Sequence, residues 1–269
     1  MHEKKQQQKS VLTTPQSFAV GGIAGALDAA INHPLWSTKI RMQMTAPLSF
    51  NPKILYQGVA IRIASKVPIT AIQVGVDTLL YPHLCTYHPL SSDTQRYVSA
   101  FFAGACSALV YGPLEMPIIQ MNQKKSSLPQ TLTVLGQTRG VLSIYTGFFL
   151  TAIREGTFAL SFLAAYPAFK AEFAKRLGDE QPEKVSALLG GVTSGSLTAF
   201  FTHPFDAARG VIQQSETPKT NMQAIKALYN SHGTLGFFRG VTPRMGLVSS
   251  SVIFIGEVRP EIETAFKSI

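Results

Sequence analysis

Long apolar stretches that carry almost no charge alternate with short polar segments along this chain. Residues 97 to 114 and residues 185 to 205 contain no Asp, Glu, Lys or Arg. Each stretch approaches the roughly 20 apolar residues that a helix needs to cross a membrane. The other apolar segments are interrupted by single or adjacent charged residues, namely Asp28, Arg62, Lys66, Arg154, Glu155 and Arg244. The pattern predicts an all-α membrane protein with six spanning helices, several facing lipid on one side and water on the other.

One motif closes an apolar run three times. Its copies are Pro34-Leu-Trp-Ser-Thr-Lys39, Pro113-Leu-Glu115-Met-Pro-Ile118 and Pro204-Phe-Asp206-Ala-Ala-Arg209. Each is followed by a second shared element, Tyr56-Gln57-Gly58, Tyr145-Thr146-Gly147 and Phe238-Arg239-Gly240. Repetition at this spacing predicts three units of two helices each in a chain of 269 residues. We expect a polar tail at 1–14 and repeats at 15–90, 91–181 and 182–269.

Small residues four positions apart precede each proline. Four-residue spacing places each pair on one helix face, where another helix can approach closely. We therefore interpret them as packing positions: Gly21 with Gly25, Ala100 with Gly104, and Gly191 with Gly195. A proline inside a membrane helix removes a hydrogen bond and bends the chain. Kinks at Pro34, Pro113 and Pro204 are expected to bring three helix ends, with their charges, toward a common axis.

The composition favours a membrane protein that handles anions. Apolar residues make up 45% of the chain and charged residues only 14%, well below the roughly 25% of soluble domains. The net charge of +9 fits an anionic membrane surface or anionic solutes. It fits nucleic acid less well, because Lys and Arg are scattered. Cys85 and Cys106 show neither a disulfide framework nor metal-ligand spacing, so we expect no metal and no cofactor.

The residues around the repeated prolines resemble the mitochondrial carrier family. The family's repeat reads proline, any residue, acid, two further residues and base, then a glutamine, and then an aromatic-basic-glycine element. The resemblance covers nearly all of residues 15 to 265. It implies a six-helix bundle with pseudo-threefold symmetry, a central substrate cavity, and salt-bridge networks that close each side alternately. It also implies a monomer in the mitochondrial inner membrane, or in a host's mitochondria if the chain is microbially encoded, in contact with anionic lipid such as cardiolipin.

The resemblance also implies a gate on the matrix side, in which the acid of one repeat pairs with the base of the next. Glu115 would then pair with Arg209, and Asp206 with Lys39. The remaining acid and base positions hold Trp36 and Ile118. Losing one partner of a buried ion pair costs about 3–5 kcal/mol, whereas replacing both can be neutral, so we expect an apolar contact there. The alternative is that Pro117 has shifted the register of the second repeat. The family's glutamine positions hold Gln43, Asn122 and Gln213.

The family's second network, on the opposite side, is incomplete in every repeat. The sequence has Tyr166 with Lys170, Asp77 with Tyr81, and Glu257 with Arg259. This predicts a weak outer gate, and with it net or unidirectional transport beside exchange.

The charged and polar positions inside the second helix of each repeat are the candidate substrate-binding residues. They are Arg62, Ser65, Lys66, Arg154, Glu155 and Arg244. Intramembrane ionisable groups are costly unless they face water or a partner. The competing interpretations are snorkelling for Arg62 and Lys66, and mutual or interhelical pairing for Arg154 and Glu155.

Arg154 and Glu155 lie seven and eight residues after Gly147, at positions where the family's fourth helix contacts substrate. An adjacent arginine and glutamate at these positions make the chain similar to carriers of amino acids and, more closely, to carriers of S-adenosylmethionine. Several cavity cations would equally suit the phosphates of an adenine nucleotide. The sequence favours a transporter of an adenosine-bearing metabolite, with ADP/ATP-type or amino-acid carriage as alternatives.

Two further assignments and one alternative class complete the predictions. His33 and His203 each precede a repeat proline, so we interpret them as structural. Asp28 is expected between helices, outside the cavity.

No phosphate loop, metal cluster or nucleophile elbow is recognisable, which argues against an enzyme. A non-transporting membrane scaffold built on the same fold stays open.

Overall fold

The computed structural model describes residues 12–43, 50–87, 91–124, 130, 133–134, 136–137, 145, 147–178, 183–214 and 220–268. Helices and turns account for these residues, and no strand occurs among them. The helices are α1 (Thr14–Ile31), α2 (His33–Gln43), α3 (Pro52–Leu55), α4 (Val59–Tyr87), α5 (Ser92–Lys124), α6 (Phe148–Leu160), α7 (Tyr166–Leu177), α8 (Glu183–Gln214), α9 (Asn221–His232) and α10 (Val241–Lys267). A π-helical turn at Ser161–Ala165 joins α6 to α7, and a 3₁₀ turn at Thr234–Phe238 precedes α10.

Six long helical segments form a closed ring. In order around it, α1 packs on α4, α4 on α5, α5 on α6, α6 with α7 on α8, α8 on α10, and α10 on α1. Within the described ranges, four segments are long and apolar enough to cross a membrane: Pro52–Thr86, Ser92–Leu114, Phe148–Leu177 and Glu183–Ile212. The predicted all-helical fold class is confirmed. The exact repeat boundaries stay a prediction.

The glycine positions assigned to packing lie where two helices of one repeat touch. A Cβ on Gly21 of α1 would lie 2.6 Å from the backbone oxygen of Thr70 in α4. One on Gly104 of α5 would lie 2.7 Å from Gly156 Cα in α6, and one on Gly195 of α8 would lie 2.7 Å from the backbone nitrogen of Ser249 in α10. The same kind of close contact therefore holds the first long helix of each repeat to the second, namely α1 to α4, α5 to α6 and α8 to α10.

The glycine of the second shared element begins an even-numbered helix in each repeat. Gly58, Gly147 and Gly240 have φ values of 83°, 82° and 84°. A residue with a Cβ pays roughly 1–2 kcal/mol in this left-handed region, which explains why glycine stands at all three positions.

The two histidines tie the two shared elements together. His33 Nε2 donates to the carbonyl oxygen of Gln57 at 3.1 Å, and His203 Nε2 donates to that of Arg239 at 3.0 Å. Both acceptors directly precede the helix-opening glycine. These bonds agree with a structural role of the histidines, which stays a prediction.

The helix is interrupted at one of the three repeated prolines and continues through the other two. α1 ends at Ile31 and α2 begins at His33, so the helix is interrupted just before Pro34. At Pro113 and Pro204 the helices α5 and α8 continue through the proline. The kinks predicted at these two positions stay predictions.

Candidate functional site

Asp206 of α8 gathers four cations from four helices. Its Oδ2 lies 3.3 Å from Lys39 Nζ and 3.4 Å from Arg244 Nη1. Its Oδ1 lies 3.6 Å from Arg154 Nη1 and 3.7 Å from Arg209 Nη1. The predicted Lys39–Asp206 pair is thus present, and two predicted substrate residues share its carboxylate. Residues predicted for the gate and residues predicted for the substrate site thus form one electrostatic unit, which we call the Asp206 cluster.

Arg154 and Glu155 form the ion pair that the sequence suggested. Arg154 Nη2 donates to Glu155 Oε1, and Gln73 Nε2 of α4 donates to the other carboxylate oxygen at 2.9 Å. Gln73 also donates to Ser107 Oγ of α5 at 3.1 Å. The Glu155 side chain is 5% exposed and so depends on these partners. Arg154 also faces Asp206 of α8, so its pairing is both mutual and interhelical, as the competing interpretation describes, and it joins the pair to the cluster.

Tyr111 of α5 is a site residue that sequence reasoning missed. The guanidinium carbons of Arg154 and Arg209 lie 4.2 Å and 4.8 Å from the centre of its ring. Both distances are within cation–π range. A signal existed in the repeat, because Asn32, Tyr111 and Thr202 all stand two residues before a repeat proline and all touch charged residues.

Lys66 is paired inside the protein and does not reach toward a helix end. Its Nζ lies 3.7 Å from Asp28 Oδ2, and it lies 4.4 Å from the centre of the Phe158 ring. Asn32 donates to Asp28 at 2.8 Å and accepts from Ser250 of α10 at 2.6 Å. Asp28 of α1 is fully buried and faces α4, as expected for a position between helices, and its partner Lys66 is a candidate substrate-binding residue.

Arg62 and Ser65 have other surroundings. The Arg62 guanidinium lies 4.8 Å above the centre of the Trp36 ring. Ser65 donates to the carbonyl oxygen of Ile61 at 2.9 Å, within its own helix. Neither of these two contacts joins the Asp206 cluster.

Arg244 is held on several sides. Beside Asp206, its Nη2 donates to Thr202 Oγ1 at 2.8 Å, and its Nη1 lies 3.4 Å from His203 Nδ1. His203 can accept there because its other nitrogen donates to Arg239. The Arg244 side chain is 5% exposed.

Several predicted positions lie outside the described side chains. They are Glu115, Ile118, Gln43, Asn122 and Gln213. The Glu115–Arg209 pair, the Trp36–Ile118 contact and the glutamine positions therefore stay predictions.

The opposite ends of the helices carry their own ion pairs. Lys170 of α7 lies 2.8 Å from Glu257 of α10, which also accepts from Tyr166 Oη at 2.5 Å. Asp77 of α4 pairs with Arg96 of α5 at 3.1 Å. The sequence singled out these residues except Arg96, which belongs to no repeated motif and gave no signal. Arg259 pairs with Glu263 of its own helix at 2.6 Å.

Comparisons with known proteins agree with this architecture. The sequence profile of the family described as mitochondrial carrier protein matches residues 10–53 and 180–256, which include the first and third proline motifs. The mitochondrial S-adenosylmethionine carrier protein of Mus musculus is 26% identical over 253 residues, covering 89% of this chain and 91% of its own length. The mitochondrial citrate transporter C of Aspergillus niger is 25% identical, covering 85% of this chain and 83% of its own length. The mitochondrial ornithine transporter 1 of Saccharomyces cerevisiae is 24% identical, with 82% and 85% covered.

Proposed function

Because this chain is a divergent member of the mitochondrial carrier family, a multi-pass protein of the mitochondrial inner membrane, we propose that it transports an adenosine-bearing metabolite. The substrate we propose is S-adenosylmethionine or an adenine nucleotide, moved by alternating access. The relatives differ in their named substrates, so the argument for this one rests on the site.

The largely buried Arg154–Glu155 pair, with side chains 15% and 5% exposed, is the observation that carries the proposal. A guanidinium and a carboxylate side by side can receive the carboxylate and the ammonium group of an α-amino acid. Gln73 fixes one oxygen of Glu155 from a neighbouring helix at 2.9 Å, so the carboxylate is oriented before substrate arrives. S-adenosylmethionine carries such an amino-acid group, which also fits the name of the mouse relative.

The excess of cations supports an adenine nucleotide as the second candidate. Asp206 is the shared partner of four cations, and so many guanidinium and ammonium groups suit phosphate oxygens. Adenosine is common to both candidates, and only the charged part of the substrate differs.

The shared carboxylate provides a route from binding to gating. Arg154 and Arg244 contact Asp206, which also holds Lys39 and so ties α8 to α2. A substrate anion that binds Arg154 or Arg244 competes with Asp206 for these partners. This rearrangement lowers the cost of separating α2 from α8, and opening of the matrix side follows from substrate occupancy.

The test is uptake into proteoliposomes. Vesicles are preloaded in turn with ATP, S-adenosylmethionine, ornithine, citrate or nothing, and uptake of labelled S-adenosylmethionine and ATP is measured. We expect saturable uptake of one of the two, with little stimulation by citrate or ornithine. Uptake into empty vesicles would support the net transport predicted from the incomplete outer motifs, whereas strict one-for-one exchange would contradict it. Folded protein that moves none of these solutes would favour the scaffold alternative.

A further inference from the structure

The first and third repeats hold the same pair of positions together by different interactions. Arg62 and Arg244 each stand four residues after a helix-opening glycine, and Trp36 and Asp206 each stand two residues after a repeat proline. Arg244 contacts Asp206 at 3.4 Å as an ion pair. Arg62 contacts Trp36 through a cation–π interaction at 4.8 Å. Trp36 thus occupies the position of an acid, and its ring still provides an interaction partner for Arg62.

Arg62 differs from every other cation of the site in its partners. Each of the others lies near a carboxylate, as seen for Lys39, Lys66, Arg154, Arg209 and Arg244. Among the described side chains, no carboxylate lies within ion-pair distance of Arg62. Its Nε is also buried without a hydrogen-bond partner among them. Arg62 therefore retains the capacity to bind an anion.

The Trp36 ring is held in place by stacking on His33. The ring centres lie 5.3 Å apart and the planes 28° apart, and His33 is fixed by its bond to the Gln57 carbonyl. His33 Nδ1 is buried without a partner in the described structure. In the third repeat the matching atom, His203 Nδ1, faces Arg244 at 3.4 Å. The first repeat thus resembles the third with its arginine shifted onto the tryptophan.

We propose that Arg62 and Trp36 form a latch that the anionic group of the substrate opens. Arg62 rests on Trp36 in the empty carrier and moves off the ring to bind the carboxylate or phosphate of the substrate. This inference rests on the proposed function and assigns Arg62 to the anionic end of the substrate, as a second partner of that group in addition to Arg154. Arg244, which has an ion pair and a hydrogen bond to Thr202, is the fixed counterpart.

The relative strengths of the interactions permit this exchange. A cation–π contact is weaker and less directional than the two parallel hydrogen bonds that a guanidinium makes with a carboxylate or phosphate. An acid at position 36 would hold Arg62 as firmly as Asp206 holds Arg244. The replacement by tryptophan therefore leaves one arginine free to respond to substrate.

The chain contains one tryptophan, so its fluorescence reports on the latch directly. Purified full-length protein is titrated with S-adenosylmethionine and its decarboxylated analogue, and with ATP and adenosine. We expect S-adenosylmethionine or ATP to change the emission of Trp36, and the decarboxylated analogue and adenosine to leave it unchanged. A response to S-adenosylmethionine would identify the carboxylate as the group that Arg62 binds, and a response to ATP would identify the phosphate. Unchanged emission with all four compounds, or equal responses to the charged and uncharged members, would overturn the latch.

Variants separate the latch from general damage to the fold. Arg62→Gln is expected to abolish the ligand-induced emission change and to raise the KM for transport about tenfold, because the anionic group loses its partner. Arg62→Lys should restore part of both. Trp36→Asp should also raise the KM, since the new carboxylate would compete for Arg62, while Trp36→Phe should have a smaller effect. Lys226→Gln, an exposed charge removal on α9, is the matched control with unchanged KM.

The two hypotheses fail in different ways. Transport by the wild type without an emission change, or with equal KM values in Arg62→Gln and Lys226→Gln, would overturn the latch alone. An emission change on binding without uptake in proteoliposomes would contradict the proposed transport while supporting the latch.

Discussion

Gln73 is the residue through which the rest of the protein positions Glu155. It is fully buried, donates to Glu155 and Ser107 from α4, and its own Oε1 has no hydrogen-bond partner in the described structure. Sequence reasoning could not select it, because the matching positions of the other repeats are Phe162 and Ile255 and a single buried glutamine has many uses. Its role follows only from the packing of three helices.

Replacing Gln73 tests whether Glu155 must be oriented. Gln73→Leu removes a hydrogen bond to a charged group, worth about 1.5–3 kcal/mol, and should raise the KM about tenfold or more. Ser107→Ala is the matched control, since it removes the second acceptor and leaves the bond to Glu155. We expect little change in KM for the control. Equal effects of the two substitutions on KM would contradict the positioning role.

The charged residues show where sequence patterns suffice and where they do not. Asp206 and Lys39 could be paired from the sequence, because the repeated motif resembles that of the mitochondrial carrier family and the resemblance implies that the acid of one repeat pairs with the base of the next. The repeat could not reveal that Arg154, Arg209 and Arg244 share the same carboxylate, since this depends on side-chain reach across the bundle. It likewise did not show that Arg62 covers Trp36.

At the scale of helices, small residues four apart identified the packing faces correctly. Four-residue spacing is a property of the helix itself, and close approach tolerates only small side chains, so this inference needs no tertiary information. The interruption at Asn32 was less accessible, because Pro113 and Pro204 share the same motif and lie in helices that continue. The difference depends on local surroundings and not on the proline alone.

Adjacent glycines of α1 provide a test of helix packing. A Cβ on Gly21 would lie 2.6 Å from Thr70 O of α4, whereas the nearest atom to a Cβ on Gly22 is Val67 Cγ1 at 3.4 Å. Gly21→Ala should therefore lower the melting temperature of the purified protein by several degrees, as overpacking costs about 1–3 kcal/mol. Gly22→Ala should leave it unchanged or slightly raised, because alanine favours the helix by about 0.5–1 kcal/mol. Similar melting temperatures for the two variants would contradict the tight α1–α4 contact.

For the whole molecule, the ring of helices carries ion pairs at both ends. Lys39–Asp206 links α2 and α8 at one end, and Lys170–Glu257 links α7 and α10 at the other. The outer motifs are incomplete as sequence patterns, yet the structure supplies a partner for Asp77 from Arg96, outside any repeat. Net or unidirectional transport beside exchange stays a prediction. We also propose a monomer in contact with anionic lipid such as cardiolipin, which the net charge of +9 favours.

The non-transporting scaffold makes a different prediction about the Asp206 cluster. A scaffold has no need for four largely buried cations, each at most 15% exposed, around one carboxylate, since apolar packing is often at least as stable as a buried ion pair. A transporter needs interactions that form and break. The cluster therefore favours transport, and its central carboxylate is the residue to change.

Uptake of S-adenosylmethionine and ATP by proteoliposomes containing wild-type, Asp206→Asn or Asp93→Asn protein tests the account most directly. Asp93 is an exposed acid on α5 and serves as the control. Asp206→Asn removes the shared partner of four largely buried cations, so the proposed gate loses its Lys39 contact and uptake should fall at least about tenfold, with folding checked by thermal melting. We predict saturable uptake of one of the two compounds by the wild type and by Asp93→Asn. Absence of uptake by folded wild-type protein, or undiminished uptake by Asp206→Asn, would contradict the account.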